Sequence, residues 1–200
     1  VKSLKKVKFS TAGIDQKTKS GYNIAEMNFL SEIFMKKKIL RYLMLVLSLL
    51  IAAAIFLFSA ENGEKSGNLS DKLAEKILQI FGITDENSSE ENQAETIVSV
   101  GSVFRKLAHF IEYFALGGAV CGFFLTYSMT PLRCIWLSSG ISVLYAVSDE
   151  LHQYFVPGRN ASVWDVLLDA VGAICGIFAV AGIMVLIRRK QIKSPSHEKP

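Results

Sequence analysis

Four apolar runs, at residues 39–60, 104–127, 132–150 and 165–187, constrain this chain more than any other feature. Each is close to the roughly 20 residues that a helix needs to cross the hydrocarbon core of a bilayer. Hydrophobic residues make up 50% of the sequence, charged residues 20%, and the mean hydropathy is +0.33, too apolar for an ordinary soluble domain. The expected fold is an all-α integral membrane protein with four transmembrane helices. The runs differ in purity: the first is clean, the second carries Lys106, His109 and Glu112, and the fourth opens with Asp165 and Asp169.

Cytoplasmic flanks carry an excess of Lys and Arg. Lys36, Lys37, Lys38 and Arg41 surround the start of the first run, Arg133 lies between the second and third, and Arg188, Arg189 and Lys190 follow the fourth. Both termini are therefore expected in the cytoplasm of a bacterial cell, with the chain a multi-pass protein of the cytoplasmic membrane. Residues 61–103, holding nine acidic residues against Lys65, Lys72 and Lys76, are expected outside, as is the loop 151–164. Arg105 and Lys106 oppose this assignment and imply a local role at the outer end of their span. The net charge of +4 arises at the flanks, where it suits anionic headgroups rather than nucleic acid. Cys121, Cys134 and Cys175 fall within spans and read as small buried residues rather than a disulfide framework.

Residues 1–38 form a basic N-terminal segment and 188–200 a basic tail. Met35-Lys36-Lys37-Lys38 before an apolar run resembles a membrane-inserting N-terminus, so residues 1–34 are expected to come from an over-long reading frame. A cleavable signal is disfavoured because Phe58 stands three residues before the cleavage site that Ala60 would offer, where a small residue is wanted. In the outer segment Leu69, Leu73, Ile77, Ile80 and Phe81 recur at helical spacing, predicting an amphipathic helix in the interface plane. Ser88-x-x-Glu91 matches a capping box leading into the second span.

The polar residues of three spans fall on one side. Lys106, His109, Glu112 and Tyr113 share a helix face at spacings of three or four. The third run ends in Ser148-Asp149-Glu150-Leu151-His152-Gln153, and the Pro157-Gly158 turn lets Arg159 fold back. Asp165, Asp169, Gly172 and Gly176 form a face that is acidic outside and small deeper in. Bland readings exist for each: Asp165 as the partner of Ser162 in a capping box, Trp164, Tyr154 and Phe155 as interfacial aromatics, and Gly118-x-x-x-Gly122 and Gly172-x-x-x-Gly176 as packing surfaces. Held in apolar surroundings, two histidines with this many carboxylates and cations exceed what pairing requires. They predict a ligand-handling or catalytic pocket.

Taken together, Arg105-Lys106-x-x-His109-Phe110-x-Glu112-Tyr113-x-x-x-Gly117, Ser148-Asp149-Glu150-x-His152-Gln153-x-Phe155-x-Pro157-Gly158-Arg159 and Asp165-x-x-x-Asp169-x-x-Gly172-x-x-x-Gly176 resemble the VanZ-like family of bacterial membrane proteins over residues 39–187. Ser59 and Ser66, just after the first span, fit the same resemblance. Asp169 stands where many members carry Asn. The resemblance implies a cell-envelope protein, with the namesake's low-level resistance to the glycopeptide teicoplanin as an expected association.

Two mechanisms remain open at the level of sequence. In the first, Lys106, His109, Glu112, Asp149, Glu150, His152, Gln153, Arg159, Asp165 and Asp169 bind an amphiphile from the lipid bilayer, either a lipid-linked envelope intermediate or a glycopeptide, with no cofactor. In the second, the chain is an intramembrane hydrolase or transferase whose catalytic candidates are His109, Glu112, Asp149, Glu150 and His152. A divalent metal on His109, Glu112, Glu150 and His152 is the alternative form of that enzyme. Proton-coupled transport is disfavoured, because the inner halves of the spans offer only residues such as Ser138, Ser139, Ser142, Thr126 and Tyr127.

Overall fold

The computed structural model describes residues 24–82, 90–127 and 129–193, and over these it is helical without a strand. Five helices follow one another: α1 (Ile24–Ser59), α2 (Gly63–Ile80), α3 (Glu90–Leu125), α4 (Pro131–Tyr154) and α5 (Val163–Lys193). Ser88 of the expected capping box and most of residues 1–34 lie outside the described residues. The chain divides into two units, Val1–Ile39 and Leu40–Pro200. In the first, the helix carries an exposed Glu32–Lys36 ion pair at 2.7 Å.

Within the second unit, local chemistry sets the helix ends. Asn62 caps α2 by accepting the Glu64 N–H at 3.0 Å, and Gly82, at φ 64°, follows its C-terminus in the left-handed conformation that glycine adopts without a Cβ clash. Pro131 opens α4, where its missing N–H is not needed. The predicted amphipathic segment is α2. Ser70, Ala74 and Leu78 form its buried face, while Leu69, Leu73, Ile80 and Phe81 are exposed beside it. Gly101 of α3 leaves room for Asp71, so α3 begins well before residue 104 and packs along α2.

Three helical segments, Met27–Ser59, Glu91–Leu125 and Val163–Lys190, are long and apolar enough to cross a membrane. The third expected span coincides with α4, which falls short of that criterion because Arg133, Ser138, Ser139, Ser142 and Asp149 dilute its apolar character. Its serines are not wasted: Ser138 and Ser142 are fully buried in the bundle. The apolar core joins Ile55 of α1, Tyr113, Leu116 and Val120 of α3, Ala146 of α4 and Ala173 of α5. α3 and α5 approach closely, and the Cβ that Gly172 and Gly176 lack would strike the carbonyl oxygens of Phe110 and Phe114, and that of Gly117 the carbonyl of Ala173. Leu107, Ile111, Trp136, Leu144, Val171 and Phe178 point outward, as side chains meeting lipid would. Cys121 and Cys134 are buried as expected, but Cys175 is exposed, because it lies between Val171 and Phe178 on the outer face of α5 while Gly176 takes the contact with α3.

Candidate functional site

The C-terminal ends of α1 and α4 and the N-terminal halves of the α3 span and α5 meet at one end of the bundle, and the polar residues collect there. Asp149 and Gln153, one helical turn apart on α4, face Ser59 at the end of α1. The Ser59 hydroxyl donates to Asp149 Oδ2 at 2.9 Å, and Gln153 Nε2 donates to the same oxygen at 3.0 Å and to Ser59 Oγ at 3.2 Å. All three side chains are buried. Deeper in, the Tyr145 hydroxyl donates to the Ala52 carbonyl at 2.6 Å and fixes α4 on α1.

Arg159 closes this network from the loop. Gly158, at φ 76°, turns the chain back, and Gly63 packs against its carbonyl while donating its N–H to Pro157 O at 3.2 Å. The guanidinium then donates to Gln153 Oε1 at 3.1 Å, to the Phe58 carbonyl at 2.8 Å and to the Glu61 carbonyl at 3.1 Å. Burial, and next the neighbouring charge of Arg105, hold the pKa of Arg159 below its ordinary value. Two guanidinium groups held together in this way favour an anion beside them.

On the other side, Lys106 reaches Asp165 at 3.1 Å. The capping-box reading of Asp165 needs a correction here. Ser162 does cap α5, its Oγ accepting the Trp164 N–H at 3.2 Å, but the Ser162 N–H goes to Glu150 Oε1 at 2.6 Å. With that donor taken, Asp165 is left to pair across to α3. His109 Nδ1 stands 3.8 Å from Glu112 Oε2, too far for a hydrogen bond, and is buried without a hydrogen-bond partner. Asp169, 2% exposed, completes the α5 wall.

Two cavities open between these walls. One, of about 190 Å³, is lined by Arg105, Lys106, His109, Glu150, Gln153, Arg159, Asp165 and Asp169 among others. The second, of about 210 Å³, takes its apolar surface from Phe58, Leu69, Leu73, Phe104 and Ala108, with Glu61, Ser66, Ser70 and Glu112 also in its lining. Arg105, His109 and Arg159 line both. The structure therefore gathers nearly all the residues singled out by spacing. Two of them line neither cavity: His152 stacks on Phe56 with ring centroids 4.5 Å apart, and Asp149 is buried in the Ser59–Gln153 network. Among the described residues, the His/Asp/Glu set whose donor atoms converge is His109, Asp149 and Asp169, all within 4.8 Å of one another. It differs from the His109, Glu112, Glu150 and His152 set suggested by residue type. Arg105, given by the sequence only an unspecified local role at the outer end of its span, lines both cavities, and Ser102 and Asn160 join the lining of the first without any sequence signal.

The VanZ/LLP1 family model matches residues 44–187, from within α1 to within α5, which takes in all three motif blocks. No curated relative and no solved structure matches the chain.

Proposed function

The chain belongs to the VanZ/LLP1 family, and from that premise we propose that it is a cell-envelope membrane protein whose polar cavity holds the anionic head of an amphiphile while the adjoining apolar cavity takes its chain. Four helices, α1, α3, α4 and α5, span the cytoplasmic membrane with both termini inside, so that the cavity opens to the outer leaflet. The basic flanks support that orientation, with Arg41 lying over the Tyr127 ring at 3.8 Å at the end of the bundle away from the cavities. α2, with Leu69, Leu73 and Ile80 exposed, lies on the outer surface of the bilayer. The ligand class is a lipid-linked envelope intermediate such as a polyprenyl phosphate, and the same site meets the acyl tail of a lipidated glycopeptide, which connects it to teicoplanin resistance.

One observation carries this reading: the polar and the apolar cavity meet at Arg105, His109 and Arg159. Arg105 Nε is buried there without a hydrogen-bond partner, a donor held ready for an anion. Native mass spectrometry of the purified protein with a polyprenyl phosphate tests it. Retention should fall at least about tenfold in Arg105→Ala, since a hydrogen bond to a charged group contributes about 1.5–3 kcal/mol. Equal retention by Arg105→Ala and the wild type would reject the site. In cells, a deletion restored with either form should differ in susceptibility to lipidated but not to non-lipidated glycopeptides; equal susceptibility throughout would remove the resistance role. A second reading, an intramembrane hydrolase or transferase on the same lipid, draws on His109 and Asp169 lining the head-group cavity beside Glu150. Conversion of the bound lipid by wild type and not by His109→Ala distinguishes it from binding alone.

A further inference from the structure

One oxygen of the Asp149 carboxylate is held by two hydrogen bonds and the other by none. Its Oδ2 accepts from both Ser59 and Gln153, which fixes the plane of the group, while Oδ1 is buried without a hydrogen-bond partner. Leaving a carboxylate oxygen buried and unpaired is costly, and such groups demand a proton, a water or a cation. His109 Nδ1 is in the same condition across the gap, on α3. Asp169, from α5, is the third member, and one donor atom from each of the three lies within 4.8 Å of the other two.

The charge balance points the same way. Asp149, Glu150 and Asp169 are 2%, 6% and 2% exposed, and among the described residues no Lys or Arg forms an ion pair with any of them. Arg159 reaches Asp149 only through Gln153 and spends its other donors on backbone carbonyls. Several anions out of water need a nearer counter-charge. We propose that His109, Asp149 and Asp169 form a binding site for one divalent first-row cation of the zinc or manganese kind. One imidazole and two carboxylates suit such ions better than thiophilic Cu(I) or all-oxygen Mg²⁺. Metal–donor distances of about 2.0–2.2 Å place donor atoms at most about 4.4 Å apart, and the three groups already lie within 4.8 Å of one another. Ser59 and Gln153 are then the outer residues that orient the Asp149 ligand, the arrangement by which proteins hold a coordinating carboxylate in place. The ion sits at the wall of the head-group cavity, with His109 and Asp169 lining both the site and the cavity.

The site stands on its own geometry and does not require the amphiphile reading. The full chain, stripped with chelator in detergent and re-equilibrated with Zn²⁺, Mn²⁺ or Mg²⁺, is assayed by elemental mass spectrometry after gel filtration. The expected result is about one Zn²⁺ or Mn²⁺ per chain and no retained Mg²⁺. Asp169→Asn and His109→Ala should abolish retention, Ser59→Ala should weaken it about tenfold, and His152→Ala should leave it intact. Added Zn²⁺ should raise the melting temperature of the wild type and His152→Ala but not of Asp169→Asn, whose metal-free melting shows whether it is folded. Metal-free wild-type protein, or equal loss in His152→Ala and His109→Ala, would overturn the assignment; polyprenyl phosphate binding by the metal-free protein would still stand as a separate result.

Discussion

The two walls of the cavity are built in opposite ways. The α1–α4 wall is densely wired, with Asp149 Oδ1 and His152 Nε2 left over: Gln153 uses both ends of its amide, Arg159 fills three acceptors, and Ser59 both donates and accepts. The α3–α5 wall has one long-reach ion pair on a half-exposed lysine and a histidine that misses its carboxylate neighbour. Yet beneath that wall the backbones are tightly packed, with Gly172 and Gly176 against the carbonyls of α3. Side chains left without partners on a mobile scaffold would be unremarkable; on backbones locked this tightly they mark a place where something else completes the set.

The largest expected effect tests the lock. Gly176→Leu forces a side chain into the Phe114 carbonyl, and with no flexible atom to yield, the cost should be about 3 kcal/mol or more, read as a lowered melting temperature in detergent. A variant with wild-type melting would mean that α3 and α5 separate freely, and the contrast between the walls would lose its basis.

Next comes the wired wall. Arg159→Ala leaves the Phe58 and Glu61 carbonyls and Gln153 Oε1 without their donor, and should cost about 2–3 kcal/mol in the same assay. Arg159→Lys should recover less than half of that, because a single ammonium cannot span three acceptors set for a planar fork. Full rescue by lysine would show that charge alone, and not the hydrogen-bonded geometry, closes the loop.

How far the sequence reaches differs between the walls for a physical reason. Lys106, His109 and Glu112 lie on one helix at intervals of three, so their shared face follows from helix geometry alone, and the structure places them around the cavities. The wired wall joins Ser59 to Asp149 and Phe58 to Arg159 across about half the chain, and no local period encodes such a pairing. The roles of His152 and Gln153 were interchangeable on spacing from Asp149; the rotation of α4 against α1, fixed by Tyr145 on Ala52, sends His152 to Phe56 and Gln153 into the network. The Ser162 cap was legible, but the box with Asp165 did not form, since Glu150 arrives from the preceding helix to take the Ser162 N–H. The helical class and the apolar lengths of α1, α3 and α5 follow from composition, whereas α4 trades apolar density for buried serines that only its neighbours explain.

A smaller effect separates the shared oxygen from its support. Ser59→Ala removes one of two donors to Asp149 Oδ2 inside a buried site and should cost about 1–2 kcal/mol, with Gln153 holding the carboxylate in place. Thermal melting of Ser59→Ala, Gln153→Ala and the double variant gives the coupling directly: the two should be non-additive, because they share one acceptor. Additive losses would divide the wired wall into independent contacts.

The smallest effect on stability falls on the open wall. Lys106 is 55% exposed and its partner Asp165 34%, so Lys106→Ala should cost less than about 1 kcal/mol of stability. The same substitution should nonetheless weaken retention of a polyprenyl phosphate, and that loss should shrink as salt rises, since added ions screen a partly exposed cation. The two readouts therefore diverge on this wall and coincide on the other, where Arg159→Ala lowers both. If Lys106→Ala destabilised the fold as much as Arg159→Ala does while leaving retention unchanged, the open wall would be a structural pair after all, and the cavity would have lost the feature that distinguishes it from ordinary packing.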